Sequence, residues 1–276
     1  MSYLLNAFKT AIDVPGISGS TRVCAVIGDP IEHTLSPAIH NAAFKRLNMD
    51  LVYVPFRVRT GELRAAIEGL KSLGVLGLNI TMPHKSRVLR LVDRIDKEAR
   101  EIGAVNTIVR KKNGFHGYNT DGEGAARALS QFGSLSGRKA LILGAGGAAK
   151  AIAYHLSKSA ESIVILNRTP SNGAHLTSRI AEWSGIQSRS CALSRKNLGR
   201  EAGGADLLIN TLPADAFTPI GKILMQDRLI RQNMVVMDAN YTIALRWLHR
   251  EGLIRLVETG SPWLDVVLTN RGREVL

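Results

Sequence analysis

The segment from Leu78 to Lys85 combines residue types that could bind a hydroxylated molecule and exchange a proton with it. Asn79 and Thr81 are two residues apart, so their side chains point to the same side of an extended segment. Pro83 then ends the strand and fixes the turn that carries Lys85. This spacing predicts one wall of a polar pocket with a lysine acid/base at its end.

A second group of polar residues, within residues 28–37, comes directly before a predicted helix. Thr34 and Ser36 supply two hydroxyl groups, and Pro37 is typical of the first helical position. We therefore predict that Ser36 is the N-cap of this helix. A capping serine can still face a bound carboxylate, so both roles are compatible.

The tetrad at residues 119–122 reads Asn-Thr-Asp-Gly, a composition that most often forms only a cap or a turn. Its aspartate, Asp121, is also a candidate partner for Lys85. In the alternative, Lys85 only attracts an anionic ligand through the general positive field of a basic protein. The residues alone leave both interpretations open.

A predicted strand at residues 139–143 runs into a glycine-rich turn and then a helix, in the pattern G-x-G-x-x-A. Glycines permit a tight turn and a close approach of the backbone to a pyrophosphate, which the helix N-terminus binds. The same turn could be mere packing between a strand and a helix. The residues of the pattern are Gly144, Ala145, Gly146, Gly147, Ala148 and Ala149.

The next predicted strand ends in Asn167, Arg168 and Thr169. An NAD-selective site places an acidic residue near this point to bind the ribose hydroxyls. An arginine there instead favours the 2′-phosphate of NADP. The second strand therefore supports a dinucleotide site and predicts NADP as the cofactor.

Apolar strand-like runs alternate with helical segments, which predicts an α/β protein with mostly parallel sheets. Predicted strands include residues 21–28, 51–56 and 104–109, and predicted helices include residues 61–73 and 85–99. Each motif falls at the carboxyl end of a predicted strand, where open α/β sheets bind ligands.

A length of 276 residues is enough for two domains with their own cores. We predict an N-terminal tail over residues 1–20 and an α/β substrate-binding domain over residues 21–121. A Rossmann-type NADP-binding domain is predicted over residues 122–240. The C-terminal segment, residues 241–276, is expected to return to the first domain.

The net charge of +13 and the pI near 10.1 suit small anionic ligands. Basic residues are scattered, aromatics make up 5%, and no nucleic-acid-binding signature is present, so binding to nucleic acid is not expected. The chain lacks an apolar run of membrane-spanning length and a signal sequence, which predicts a cytoplasmic protein. Two cysteines, Cys24 and Cys191, provide neither a disulfide framework nor a metal site.

Six motifs in this order resemble the shikimate dehydrogenase family, including its quinate/shikimate-using members. The resemblance covers about residues 21–210 and is weaker beyond them. The motifs are GDPIEHTLSP at 28–37, NITMPHK at 79–85, GAVNT at 103–107, NTDG at 119–122, GAGGAA at 144–149 and NRT at 167–169.

This resemblance implies an NADP-dependent oxidoreductase for shikimate, a small cyclic hydroxy acid of the aromatic amino acid precursor pathway. It implies Lys85 and Asp121 as the catalytic pair, and we separately expect a monomer or homodimer without a metal. The implied substrate-binding residues are Thr34, Ser36, Asn79, Thr81, Asn106, Asp121 and Tyr241. The implied cofactor-binding residues are Gly144, Ala145, Gly146, Gly147, Ala148, Asn167, Arg168, Thr169 and Gly260.

Departures from the family pattern lie mostly in the last third of the chain. The glutamine that binds substrate in the family is expected near Val267, and Asn172 replaces a second basic residue after the NRT motif. These changes leave quinate or another cyclic hydroxy acid as alternative substrates. A further alternative is a non-catalytic ligand-sensing protein, against which the presence of Lys85 and Asp121 counts.

Overall fold

The computed structural model describes residues 16–32, 34–239, 254–257 and 265–268. The chain divides into two units with a boundary between Asn119 and Thr120. The prediction that residues 241–276 return to the first domain therefore falls mostly outside the described residues and stays a prediction. Within that segment the structure describes two strands, which pair with each other in an antiparallel ladder.

The first unit combines a six-stranded sheet with three α-helices in its described part. Its strands are β1 (Arg22–Gly28), β2 (Leu51–Arg57), β3 (Gly77–Ile80), β4 (Arg94–Ile95), β5 (Thr107–Lys111) and β6 (Gly114–Tyr118). Its helices are α1 (Ser36–Arg46), α2 (Leu63–Ser72) and α3 (Lys97–Ile102), with 3₁₀ turns at Thr60–Glu62 and Val88–Arg90.

The strands of this sheet lie in the order β2-β1-β3-β5-β6-β4. Strand β1 pairs in parallel with both β2 and β3, but β3 pairs antiparallel with β5, and β5 antiparallel with β6. Strand β4 pairs in parallel with β6, so three of the five ladders in this described sheet are parallel and the prediction of a mostly parallel sheet is confirmed. The antiparallel pairing of β5 with β6 comes from a tight hairpin between Lys111 and Gly114, at the turn that the sequence predicts.

The prediction of one helix over residues 85–99 is wrong. Asp93 and Asp96 each donate a backbone N–H to β6, to the carbonyls of Phe115 and Gly117, both at 2.9 Å, so β4 forms here instead. The Asp96 carboxylate then accepts from the N–H of Glu98 at 3.0 Å and caps α3. Pairing with a distant strand and this later cap together override the local helical pattern.

The main core of the first unit lies between the sheet and α2. Leu63, Ile67 and Leu70 form the buried face of α2 at helical spacing. They belong to one apolar cluster with strand residues such as Ile27 and Leu78. The opposite face of the sheet carries a smaller apolar cluster of Val26, Ile31 and Tyr53, against which Cys24 and Phe44 pack.

Strand β2 forms one edge of this sheet, among the residues that the structure describes. The side-chain amide of Asn41, on α1, bonds both backbone polar groups of Tyr53. Its Nδ2 donates to the Tyr53 carbonyl at 2.9 Å, and its Oδ1 accepts from the Tyr53 N–H at 2.8 Å. Pro55, two residues further along β2, has no N–H to donate.

The second unit is built on a parallel five-stranded sheet with helices on both faces. Its strands are β7 (Lys139–Leu143), β8 (Ser162–Asn167), β9 (Gln187–Ala192), β10 (Leu207–Asn210) and β11 (Val235–Asp238), and further along the chain lie β12 (Ile254–Val257) and β13 (Asp265–Leu268). Its helices are α4 (Asp121–Ser130), α5 (Gly147–Leu156), α6 (Pro170–Ser184), α7 (Arg195–Ala202) and α8 (Ala214–Gln226).

The strand order β11-β10-β7-β8-β9 is that of a doubly wound dinucleotide-binding sheet, with β7 as the first strand. Along β7, Ala140 and Ile142 pack on one face, in a cluster with α4, α5 and α6. Leu141 and Leu143 pack on the other face, with α7 and α8. A central strand that is apolar on both faces agrees with the predicted Rossmann-type unit.

Helix α4 lies tightly against α5, since a Cβ atom at Gly122 would be 2.3 Å from the Ala151 carbonyl oxygen. No helix in the described part of the chain is both long and apolar enough to span a membrane.

Candidate active site

The loop that carries Thr34 and Ser36 is tied to the end of β2. Arg57 donates from Nε to the Asp29 carboxylate at 2.7 Å and from Nη1 to the Glu32 carboxylate at 3.1 Å. The guanidinium is largely exposed, so water screens both ion pairs and each contributes little to stability. Two anchors at one arginine nevertheless restrain the path of the loop that presents both hydroxyls.

Ser36 begins helix α1 and does not cap it. The Thr34 hydroxyl oxygen accepts from the Ser36 N–H at 3.3 Å, and the N-cap position is Leu35, which has no side-chain cap. The prediction that Ser36 is the N-cap is therefore wrong.

The side chain of Asn79 is held on one face of β3. Leu78 and Ile80, its neighbours in the strand, point into the main core, while Asn79 is half-buried on the other face. Its Oδ1 accepts from the Tyr53 hydroxyl at 2.6 Å, and its Nδ2 donates to Thr107 Oγ1 at 3.3 Å. The amide is therefore oriented by residues from two other strands.

The ends of β1 and β3 meet closely at Thr81. Its N–H donates to the Ile27 carbonyl at 3.0 Å, and the N–H of Asp29 donates to the Met82 carbonyl at 2.9 Å. A Cβ atom at Gly28 would lie 2.3 Å from Cγ2 of Thr81. Only glycine at this position leaves room for Thr81 at the strand end.

The turn that carries Lys85 is anchored on both sides of the lysine. His84 is fully buried, and its Nε2 donates to the Val58 carbonyl at 2.6 Å. The Lys85 carbonyl accepts from the N–H of Val105 at 2.8 Å. The backbone at Lys85 is thus fixed, while its side chain is half-buried.

Asn106 lies at the same strand ends and is 8% exposed. Its N–H donates to the Tyr118 carbonyl at 3.0 Å, and its own carbonyl accepts from the N–H of Ile80 at 2.7 Å. Its side-chain Oδ1 accepts from the Thr107 hydroxyl at 2.9 Å. The structure therefore brings Asn79 and Asn106 together through one threonine.

Asp121 is the first residue of α4, where the helix dipole favours a carboxylate. Just before it, the Asn119 side chain donates to the Ala104 carbonyl at 3.0 Å and is 8% exposed. Lys85 belongs to the first unit, and Asp121 stands at the start of the second.

In the second unit, the turn after β7 has the geometry that its glycines predict. Gly144 has a φ of +107°, which disfavours other residues, and a Cβ atom there would lie 2.4 Å from Thr211 Oγ1. The Thr211 hydroxyl donates to the Leu143 carbonyl at 2.7 Å. Gly144 is therefore required by the packing of the turn itself.

Gly146 differs, because it is exposed and a Cβ atom there would meet nothing within 4 Å. It is the N-cap of α5, with Gly147 and Ala148 in the first turn and Ala145 half-buried before it. Backbone N–H groups at a helix N-terminus with open space in front suit a phosphate group. This turn fits the pyrophosphate of a dinucleotide.

Arg168 and Thr169 follow β8 and are exposed, whereas Asn167 is 9% exposed. The Asn167 side chain donates to the Thr169 carbonyl at 2.8 Å, and its own carbonyl accepts from the N–H of Leu193 at 3.1 Å. Asn167 therefore shapes the bend at the strand end. Arg168 remains on the surface, where its guanidinium could bind a 2′-phosphate.

Two predicted residues, Tyr241 and Gly260, lie outside the described residues. Sequence reasoning missed Tyr53 and Thr107, which contact the predicted residue Asn79. Tyr53 lies in the predicted strand at residues 51–56, and a tyrosine buried in an apolar strand needs a partner for its hydroxyl. That need was the one available signal, and it does not identify the partner.

A dinucleotide-type sheet followed by an exposed arginine, together with a lysine beside polar strand ends, defines the class of NADP-dependent oxidoreductases. Two family profiles match the chain: "Shikimate dehydrogenase substrate binding domain" over residues 26–108 and "Shikimate / quinate 5-dehydrogenase" over residues 126–214. The chain belongs to the shikimate dehydrogenase family.

Individual relatives agree with this assignment. The shikimate dehydrogenase (NADP(+)) of Thermococcus kodakarensis is 45% identical over 225 residues, covering 80% of this chain and 78% of the relative. A crystal structure of a shikimate dehydrogenase in complex with NADP+ is 39% identical, with a TM-score of 0.70, covering 80% of this chain and 77% of the other. The ligand-free 5-ketofructose reductase of a Gluconobacter strain is 29% identical, with a TM-score of 0.65, covering 80% and 79%.

Proposed function

We propose that this protein catalyses the NADP-dependent, reversible oxidation of shikimate to 3-dehydroshikimate, in the route to the aromatic amino acids. The observation that carries the proposal is the arrangement at the strand ends of the first unit. Two oriented amides, Asn79 and Asn106, and a lysine on an anchored turn, Lys85, occur within one family-matched sheet. Such groups suit a molecule with several hydroxyls and one reacting alcohol.

Lys85 acts as the acid/base. Oxidation of a secondary alcohol requires its hydroxyl proton to leave, and an amine on a fixed turn can accept it. We assign Asp121, the other predicted catalytic residue, the role of favouring the ammonium form of the lysine. In the reverse direction the same lysine returns the proton to the carbonyl oxygen.

The remaining polar residues orient the substrate. Thr34 and Ser36 bind its carboxylate through their hydroxyls, and Asn79, Thr81 and Asn106 bind its ring hydroxyls. We assign Tyr241 to the same pocket. Several directed hydrogen bonds to one small molecule fix which alcohol faces Lys85.

NADP supplies the hydride acceptor when it is bound. The amides of the turn from Gly144 to Ala148 bind its pyrophosphate, since Gly146 leaves open space in front of the α5 N-terminus. Asn167, Arg168 and Thr169 would hold the adenosine ribose, with Arg168 binding the 2′-phosphate. We also assign Gly260 to the cofactor site.

Measuring NADP reduction by the purified protein with shikimate, quinate and a panel of other cyclic hydroxy acids tests this function. The proposal expects the highest kcat/KM with shikimate and NADP. Binding of shikimate and NADP without any turnover would instead support a ligand-sensing protein. Turnover only with another acid would change the assigned substrate, while the reaction would remain an NADP-dependent oxidation.

A second candidate function is the oxidoreduction of quinate or another polyhydroxylated molecule. It is favoured by Val267, which stands where the family has a substrate-binding glutamine, and by the similarity to a 5-ketofructose reductase. Reduction of 5-ketofructose by NADPH belongs in the same panel. A higher kcat/KM for that ketone than for 3-dehydroshikimate would favour this second candidate.

The predictions of a cytoplasmic enzyme and of a monomer or homodimer complete the proposal. Cell fractionation tests the first, and light scattering at several protein concentrations tests the second. A species larger than a dimer would contradict the proposed assembly.

A further inference from the structure

A continuous chain of hydrogen bonds crosses one face of the first sheet and joins two predicted substrate-binding residues, Asn79 and Asn106. It begins at the Tyr53 hydroxyl, which donates to Asn79 Oδ1 at 2.6 Å. Asn79 Nδ2 donates to Thr107 Oγ1 at 3.3 Å, and Thr107 Oγ1 donates to Asn106 Oδ1 at 2.9 Å. Tyr53 and Thr107 are the two members that the sequence does not predict.

The chain of hydrogen bonds has a defined direction, and Tyr53 sets it. Burial raises the pKa of the Tyr53 hydroxyl most strongly, and the nearby Cys24 thiol raises it further, so the hydroxyl stays protonated at physiological pH. The Tyr53 proton is then directed to Asn79.

An asparagine amide carries its acceptor oxygen and its donor NH₂ group at the two ends of one planar group. Once Asn79 Oδ1 accepts from Tyr53, its NH₂ group must face Thr107. Thr107 Oγ1 accepts that bond, so its own proton points to Asn106 Oδ1. The NH₂ group of Asn106 is thereby turned away from Thr107.

We propose that Thr107 is a positioning residue that transmits the orientation of the Asn79 amide to Asn106 and so fixes both amides for substrate binding. This inference rests on the proposed function, because it treats both asparagines as substrate ligands. One hydroxyl oxygen can accept one bond and donate another, which neither a methyl group nor an ammonium group can do. The branched Cβ of threonine also restricts the side-chain rotamer in a strand.

Steady-state kinetics of Thr107→Val and Thr107→Ser test the role. Valine keeps the shape and removes the hydroxyl, so KM for shikimate should rise about 3- to 10-fold, the range for one or two lost hydrogen bonds, with kcat and KM for NADP unchanged. Serine keeps the hydroxyl and should restore most of the affinity. Thr177→Val, on α6 of the other unit, is the matched control with wild-type constants expected.

The contrary results are equally specific. An unchanged KM for shikimate in Thr107→Val would overturn the proposal. A parallel loss of kcat, thermal stability and NADP affinity that serine does not rescue would assign Thr107 a structural role only.

A double-mutant cycle with Tyr53→Phe separates transmission from local packing. Asn79 lies between Tyr53 and Thr107, so two independent effects should multiply in KM. If the hydrogen-bond chain transmits one orientation, the double variant should raise KM for shikimate no more than the larger of the two single substitutions. Multiplying effects would overturn the transmission from Tyr53 through Thr107.

A measurement without turnover keeps this inference distinct from the proposed function. In ¹⁵N-labelled protein, Tyr53→Phe should shift the side-chain amide resonances of Asn106, assigned from an Asn106→Asp variant. The shift should vanish when Tyr53→Phe is introduced into Thr107→Val. Unmoved Asn106 resonances would overturn the inference even in an active enzyme, while inactivity toward shikimate would refute only the proposed function.

Discussion

Lys85 is the residue on which the proposed chemistry depends most. If it accepts the alcohol proton as the hydride leaves, Lys85→Ala should lower kcat about 10²- to 10⁴-fold, the usual range for general acid/base groups. KM for shikimate should change much less, because the proton transfer occurs in the transition state. Steady-state kinetics together with a separately measured shikimate Kd give both quantities.

Lys112→Ala is a suitable control for this variant, since Lys112 is an exposed lysine of the same unit. It changes the net charge equally and should leave kcat unaltered. Weak shikimate binding with a normal kcat in Lys85→Ala would mean that Lys85 only attracts the carboxylate. The lysine would then have no part in the proton transfer.

Arg168 should determine the preference for NADP over NAD. Arg168→Ala removes the charged hydrogen bonds to the 2′-phosphate, so KM for NADP should rise about tenfold or more while KM for NAD stays constant. Lys196→Ala, an exposed change in the same unit, serves as the charge control. Because Asn172 provides no second cation, we expect only moderate discrimination in the unaltered enzyme, and equal use of both cofactors would argue against Arg168.

The position of a candidate residue in the fold could be predicted where one short segment carries both the residue and the reason for its placement. Asn79, Lys85 and Gly144 are of this kind, because strand alternation and turn chemistry act over a few residues. Tyr53 and Thr107 could not be predicted, since their role arises from contacts between three strands far apart in sequence. No local pattern specifies which side chains meet across a sheet.

At the level of elements, two glycines of the turn after β7, Gly144 and Gly146, should affect stability and NADP binding differently. Gly144→Ala places a Cβ 2.4 Å from Thr211 Oγ1 at a positive φ, so it should lower the melting temperature as well as NADP affinity. Gly146→Ala meets no protein atom within 4 Å, so it should keep the melting temperature and weaken NADP binding alone. Thermal unfolding without ligand and calorimetric NADP titration distinguish the two.

An NADP affinity close to the unaltered value in Gly146→Ala would show that no ligand approaches this part of the turn. The open space at Gly146 would then have no bearing on the cofactor, and the assignment of the α5 N-terminus would fail.

The junction between α2 and β4 should make stability depend on pH. Lys71 donates to both Asp93 oxygens at 2.7 and 2.6 Å, and the N–H of Phe115 donates at 2.6 Å. The hydrogen bond from Lys71, and then that from Phe115, hold the pKa of Asp93 below its usual range. A lowered folded-state pKa stabilises the fold above the unfolded-state pKa, and this contribution disappears as pH falls through the folded-state value.

Asp93→Asn should therefore lower the melting temperature at neutral pH, and its difference from the unaltered protein should shrink below about pH 4. Glu68→Gln breaks an exposed ion pair within α2 and should have little effect at any pH. A melting-temperature difference that is constant with pH would contradict the role of the Asp93 charge.

Helices and strands were predicted from the sequence most accurately in the second unit. Strands buried on both faces alternate there with helices, and long apolar runs suffice to identify them. The prediction of a helix at residues 85–99 failed because backbone groups of this segment pair with β6. Local propensity contains no information about that distant strand. Asp96, a good N-cap residue, was the one local sign that a helix starts only there.

At the scale of the whole molecule, the net charge of +13 should assist the binding of anionic ligands. Raising the ionic strength from about 0.05 to 0.5 M shortens the range of this field, so KM should rise for both shikimate and NADP. The uncharged methyl ester of shikimate should show a much weaker salt dependence. Identical salt dependence for acid and ester would exclude the protein's field as the cause.

The side-chain amide of Asn41 occupies the backbone groups of Tyr53 at the exposed edge of β2, and Pro55 offers no N–H to an arriving strand. An edge closed in this way is a poor template for pairing with a second copy of the chain, even though Phe56 beside it is 40% exposed. This edge of the first sheet is thereby protected from growing into an intermolecular ladder, which lowers the tendency of the folded protein to aggregate.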